Sequence, residues 1–141
     1  MSKKGPILII EDDHDDQEII KEVLEDLEIL NPISFFSRCN DAFTYLKTSM
    51  LQPFLILCDV NLPEVNGLDF KKSIDQDLQL RQKAIPFIFF STARDKRTVT
   101  EAYAETTVQG FFQKKGIYEE LRSTLKVIMD YWKICLHPHT D

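Results

Sequence analysis

The sequence predicts an α/β fold: a doubly wound, five-stranded parallel sheet of (βα)5 pattern, with helices on both faces. Three observations point to it. Five short apolar runs are continuous rather than alternating, as expected of strands covered on both faces. The stretches between them carry apolar residues at helical spacing. Acids, a hydroxyl and a lysine stand just after the runs.

The first run, Ile7–Ile10 (ILII), is rich in β-branched residues and reads as a strand. Helix 1 is expected from Asp15 to Glu28, with Ile19, Ile20, Val23, Leu24 and Leu27 on one stripe, and Asn31-Pro32 ends it. Strand 2 is Ile33–Phe36 (ISFF). Helix 2, Asp41–Lys47, turns Ala42, Phe43 and Leu46 inward. Strand 3 is Phe54–Cys58 (FLILC), and helix 3, Gly67–Leu78, carries Leu68, Phe70, Ile74 and Leu78. Strand 4 is Phe87–Phe90 (FIFF). Helix 4, Lys96–Glu105, is weakened by β-branched Thr98, Val99 and Thr100. Strand 5, Gly110–Phe112 (GFF), is the weakest run. Helix 5, Tyr118–Ile134, is the longest and aligns Leu121, Leu125, Ile128 and Trp132. Right-handed crossovers and the strand order 2-1-3-4-5, the flavodoxin-like arrangement, put ligands at the carboxyl ends of the strands, near the switch between strands 1 and 3.

At 141 residues the chain is expected to be a single domain, 1–141, with a core of about 5–134 and a short C-terminal tail. A composition 43% hydrophobic and 28% charged suits a globular protein. The net charge of −6 disfavours nucleic acid phosphates and anionic membranes as partners. No apolar run approaches the roughly 18–20 residues of a membrane span. The apolar run in MSKKGPILIIEDD is too short for a signal peptide and ends in acids, so a cytoplasmic protein is expected. Cys39, Cys58 and Cys135 are odd in number and widely spaced, which argues against a disulfide framework or a zinc site. Cys135, His137 and His139 mimic metal spacing only superficially; with Pro138 beside them, a frayed tail is the expectation.

The stretch LILCDVNLPEVNG ends an apolar run in Asp59. Either Asp59 caps the next helix, or it is held at a strand end for chemistry. Glu11, Asp12 and Asp13 follow strand 1, Ser91 follows strand 4, and Lys114 stands near the end of strand 5. Each has a plain structural alternative: Asp13 or Asp15 as a helix cap, Ser91 or Thr92 likewise, and Lys114 as a surface lysine. Coincidence at four strand ends favours a site. Clustered carboxylates repel one another unless a cation joins them, and hard oxygen ligands with no neighbouring histidine or cysteine suit Mg²⁺. Such a set, with a hydroxyl and an ammonium for phosphoryl oxygens, fits phosphoryl transfer with an aspartate nucleophile.

Taken together, IIEDD, DVNLPEVNG, FFSTA and FFQKK, in order along nearly the whole chain, resemble the receiver domain of two-component response regulators. The third motif matches the family's D-x-x-[ML]-P-x-x-x-G. The resemblance implies Asp59 as phosphoacceptor, Glu11 and Asp12 as the acidic pair serving Mg²⁺, and Asn61 as a backbone-carbonyl ligand. It implies Ser91, five places after Pro86, as the hydroxyl that binds the phosphoryl group and moves on activation. Lys114 would pair with the phosphoryl group, and Phe111 occupies the aromatic switch position, where a plain core aromatic is the alternative. Three positions depart from the family: Glu11 replaces the commoner aspartate, Phe111 lacks a tyrosine hydroxyl, and Lys115 replaces the proline of a cis Lys-Pro bond. A non-proline cis bond costs about 3–4 kcal/mol, so Lys114-Lys115 is expected to be either trans with a rearranged loop, or strained.

By this resemblance the chain is a stand-alone receiver, similar to small phytochrome-associated or chemotaxis-type receivers. A histidine kinase or histidine phosphotransfer protein would supply the phosphoryl group. Output would pass to a downstream protein target by contact, or by onward phosphotransfer, because residue 141 leaves no room for a DNA-binding domain. The chain would catalyse its own phosphorylation and slow dephosphorylation rather than act as a metabolic enzyme. The face of helix 4, strand 5 and helix 5 is the expected contact surface, with a homodimer among its uses and Trp132 as either a partner contact or an edge-packing residue. One alternative is a degenerate receiver that only binds partners. Another is a haloacid-dehalogenase-like phosphatase, disfavoured because its D-x-D motif follows the first strand, whereas Asp59-Val60-Asn61 follows the third. A nucleotide-binding module is disfavoured because no Gly-rich loop follows strand 1.

Overall fold

Five parallel strands form one sheet, and its order is β2-β1-β3-β4-β5, as the sequence predicts. The computed structural model describes residues 2–137. The strands are β1 (Ile7–Ile10), β2 (Ile33–Phe36), β3 (Leu55–Cys58), β4 (Phe87–Ser91) and β5 (Gly110–Gln113). The helices are α1 (His14–Asp26), α2 (Cys39–Thr48), α3 (Gly67–Gln76), α4 (Leu78–Lys83), α5 (Lys96–Glu105) and α6 (Tyr118–Ile134). Predicted helices 4 and 5 are therefore α5 and α6.

β1, β3 and β4 are buried along their whole length, which is why they read as continuous apolar runs. β2, at the sheet edge, is only half-buried. Side chains divide by the period of two. Ile7, Ile9, Leu55, Leu57, Ile88 and Phe90 face α1 and α6, where Ile20, Val23, Leu24, Leu121, Leu125, Ile128 and Met129 close one core. Leu8, Ile10, Ile56, Cys58, Phe87 and Phe89 face the other core, with Ala42, Leu68, Phe70, Leu80 and Ala102 from α2, α3, α4 and α5. Each fully buried aliphatic side chain contributes about 1.5–3 kcal/mol.

Two expectations are corrected. The third predicted helix ends at Gln76 rather than Leu78, and a separate short helix, α4, follows. Asp77 divides them: its backbone is extended, and its carboxylate accepts from Leu80 N at 3.0 Å, capping α4. Leu80 is buried, whereas Leu78, expected to face inward, is 70% exposed. Ala84 then stops α4 in the left-handed region.

The tail is the second correction. His137 is buried between the Phe54 and Trp132 rings, with centroids 5.4 and 5.9 Å away. Neither of its ring nitrogens has a hydrogen-bond partner of ordinary geometry. Trp132 thus packs at the edge of its own chain. Pro138 and His139 lie outside the described residues.

Candidate functional site

The sheet register brings the strand ends together before any side chain is considered. Ile10 pairs with Cys58, Cys58 with Phe89, and Ser91 with Gln113. Backbone bonds carry the ladder past the strands. Asp59 N donates to Ile10 O (3.0 Å), Glu11 N to Phe36 O (2.9 Å) and Lys114 N to Ser91 O (2.7 Å). Glu11, Asp59, Ser91 and Lys114 therefore share one edge, and all four are buried.

Asp59 sits at the centre. Its Oδ1 accepts from the Ser91 hydroxyl at 2.5 Å and from Asn61 N at 3.3 Å. Its Oδ2 lies 3.5 Å from Lys114 Nζ. Asp59 does not cap the following helix; Asn66 does, accepting from Asp69 N at 2.8 Å. The loop between them is fixed by backbone approach. Gly67 N donates to Val60 O at 2.8 Å, and a Cβ on Gly67 would collide with the Asp59 carbonyl oxygen. Glu64, next to Pro63, takes a positive φ of 67° in the same turn.

Glu11, Asp12 and Asp59 each bring a carboxylate oxygen within 4.8 Å of the others, two of them buried and Asp12 exposed. Asn61 is exposed beside Asp59. Lys114 Nζ offsets part of this charge. It donates to Glu11 Oε1, and it pairs with Asp16 Oδ2 at 3.0 Å as well as with Asp59. Burial pushes the Glu11 carboxyl up, while Lys114 on the same oxygen pulls it down. Burial opposes the charge on Lys114, but the Glu11 and Asp16 hydrogen bonds outweigh it and hold the lysine protonated, above its ordinary range.

The hydroxyls separate clearly. Ser91 is fully buried against Asp59, whereas Thr92 is exposed at the mouth of the cleft. Neither caps α5, which Asp95 does. Asp13 caps α1 by accepting from Asp16 N at 3.0 Å. The Lys114–Lys115 peptide is trans, as are the others among the described residues. Phe111 is half-buried, its ring 5.6 Å from that of Phe89. Cys58 is buried and donates to Asp59 O at 3.1 Å, and burial pushes its thiol well up.

Two neighbours escaped the sequence reading. Gln17, buried on α1, donates to Glu11 O at 2.5 Å and to Ser37 Oγ at 3.4 Å. Asp16 reaches Lys114 from the adjacent turn. The available signal was the cap: Asp16 stands three residues after the N-cap candidate Asp13, so the first turn of α1 keeps it beside the strand-1 end and the cleft.

Chemically, the cleft joins a buried carboxylate, a hydroxyl donor, an ammonium and further hard oxygen ligands. The model of the response regulator receiver domain matches residues 7–126. The probable methanogenesis regulatory protein FilR2 of Methanothrix harundinacea is 27% identical over 130 residues, covering 89% of this chain and 82% of that one. The response regulator Rcp1 of Synechocystis sp. is 27% identical over 131 residues, covering 89% and 87%. The crystal structure of the Mn²⁺-bound form of a response regulator named Rcp1 superposes with a TM-score of 0.81 at 25% identity, over 94% of this chain and 98% of that one. The phosphorylated cyanobacterial phytochrome response regulator RcpA has a like fold, with a TM-score of 0.82 at 24% identity over 94% and 97%. The chain spans about half of two longer curated relatives, 54% of one and 50% of the other.

Proposed function

The chain belongs to the response regulator receiver family, and from that premise we propose that it is a phosphorylation-dependent signalling switch with Asp59 as phosphoacceptor. The observation that carries this reading is the setting of Asp59: a Ser91 hydroxyl at 2.5 Å, an ammonium at 3.5 Å, and two more carboxylates close by.

The phosphoryl donor is a phosphohistidine on a histidine kinase or histidine phosphotransfer protein. A carboxylate oxygen of Asp59 attacks phosphorus, the P–N bond breaks, and its electron pair leaves on the imidazole nitrogen. The product is an acyl phosphate. Lys114 pairs with the incoming phosphoryl oxygens, and Ser91 turns its hydroxyl from Asp59 Oδ1 to one of them. Burial of both groups makes each contact stronger than it would be in water.

The donor set fits Mg²⁺: all ligands are oxygen, and the three carboxylates are close enough to share one ion. Glu11, Asp12, Asp59 and the Asn61 carbonyl would hold it, and the Mn²⁺-bound form of Rcp1 supports the assignment by analogy. When bound, Mg²⁺ offsets the repulsion between these carboxylates and an approaching phosphoryl anion.

The acyl phosphate adds charge at the head of β3 and β4, and it draws Ser91 inward. Phe111, packed on Phe89 of β4, relays that shift by packing alone. The output surface is the α5–β5–α6 face, where Tyr103, Val127 and Tyr131 are exposed. It serves contact with a downstream protein target, a second copy of the chain, or onward phosphotransfer, in the cytoplasm.

Incubation of the full chain with acetyl phosphate and Mg²⁺, read by intact mass, tests the reading. Wild type should gain one phosphoryl group and Asp59→Asn none. No gain on wild type, the result for a receiver that only binds partners, or equal gain on both chains overturns it.

A further inference from the structure

We propose that Asp16, in the first turn of α1, is a positioning residue for this reaction, its carboxylate tethering the Lys114 ammonium over Asp59. The inference rests on the reading of Asp59 as phosphoacceptor. A lysine side chain has four rotatable bonds, so something must hold its end in place. The backbone fixes only the root of the side chain, through Lys114 N on Ser91 O at 2.7 Å, and the residues that follow, Lys115, Gly116 and Ile117, are exposed. The position of Nζ is set by its partners instead.

An ammonium has three N–H groups, and three carboxylates surround this one: Glu11, Asp16 at 3.0 Å and Asp59 at 3.5 Å. Glu11 and Asp59 belong to the acidic group of the cleft. A cation or phosphoryl group engaging them draws their charge away from Lys114. Asp16 lies outside that group, so its charge stays committed to the lysine. Asp16 is also held firmly. The Asp13 cap accepts from its backbone N–H at 3.0 Å, and the next residue, Gln17, is anchored to Glu11 O and Ser37. The carboxylate therefore projects from a fixed turn to the far end of the long Lys114 side chain.

A first-turn acid also favours the positive end of the helix dipole, which is the competing role. That role affects stability but not the phosphorylation rate through Lys114. Labelling rates with acetyl phosphate at saturating Mg²⁺ separate the two. Asp16→Asn should label about tenfold more slowly, and Asp16→Glu should recover part of the loss. In a Lys114→Met background, Asp16→Asn should cause no further slowing. An unchanged rate, or further slowing in the Lys114→Met background, overturns the proposal. A second readout needs no phosphorylation: the ¹⁵N ammonium resonance of Lys114. It should be observable in wild type and broadened in Asp16→Asn, and identical spectra overturn the proposal. A wild type that never labels defeats the functional reading but leaves the resonance test of Asp16 standing.

Discussion

Asp59 and Lys114 are ordinary residue types whose properties here come from their neighbours. A buried carboxylate is costly alone, but Asp59 accepts from Ser91 and Asn61 and lies against an ammonium. Asp59, Ser91 and Lys114 were legible from the sequence because each follows a readable strand. Asp16 was not, because its partner is 98 residues away in sequence. His137 is the residue whose environment departs furthest from expectation. Burial, with the charge of Lys3 adding to it, lowers its pKa, so the folded protein holds it neutral. The unfolded chain takes up that proton near the ordinary value of about 6.5. Stability from this group is therefore complete above that pH and is lost as pH falls toward the lower folded pKa. Thermal melts of His137→Phe should fall less steeply than wild type between about pH 7 and about pH 5. Parallel profiles would remove His137 from the account.

The β3–α3 connection is the element on which the site depends most. Asn66 caps α3, Glu64 takes a positive φ, and Gly67 passes so close to the Asp59 carbonyl that no Cβ fits. The need for glycine here is one of space, since its φ is not positive. Gly67→Ala should cost about 2–3 kcal/mol in urea unfolding and slow the labelling of Asp59, because relief requires moving the loop that starts at that residue. An alanine variant of wild-type stability would mean the loop has slack. The long helices were readable because their burial has a fixed period, and the central strands because burial on both faces leaves an unbroken apolar run. The short α4 was missed because six residues hold under two turns, too few to display a period, and because Leu78 mimics a continued stripe. Its one local signal was Asp77, an N-cap residue within an apparently helical run.

At the scale of the molecule, a net charge of −6 is gathered partly into one cleft, where Glu11, Asp12 and Asp59 converge. Lys114 compensates only some of it. Mg²⁺ at ten times its dissociation constant should therefore stabilise the fold by about 1.4 kcal/mol in a thermal melt, and Asp12→Asn should remove most of that gain. A melt unmoved by Mg²⁺ would leave the cleft without a cation. No helix among the described residues is long and apolar enough to cross a membrane.

The sequence by itself determined the five strands, the long helices and the strand-end positions of Glu11, Asp59, Ser91 and Lys114. Those follow from local periodicity and from where each apolar run stops. Only the tertiary structure decided that Asn66 rather than Asp59 caps α3, that Lys114–Lys115 is trans, that Asp16 completes the shell of Lys114, and that His137 is buried. Each of those depends on which distant groups compete for the same space, charge or hydrogen bond, and a one-dimensional pattern carries no record of that competition.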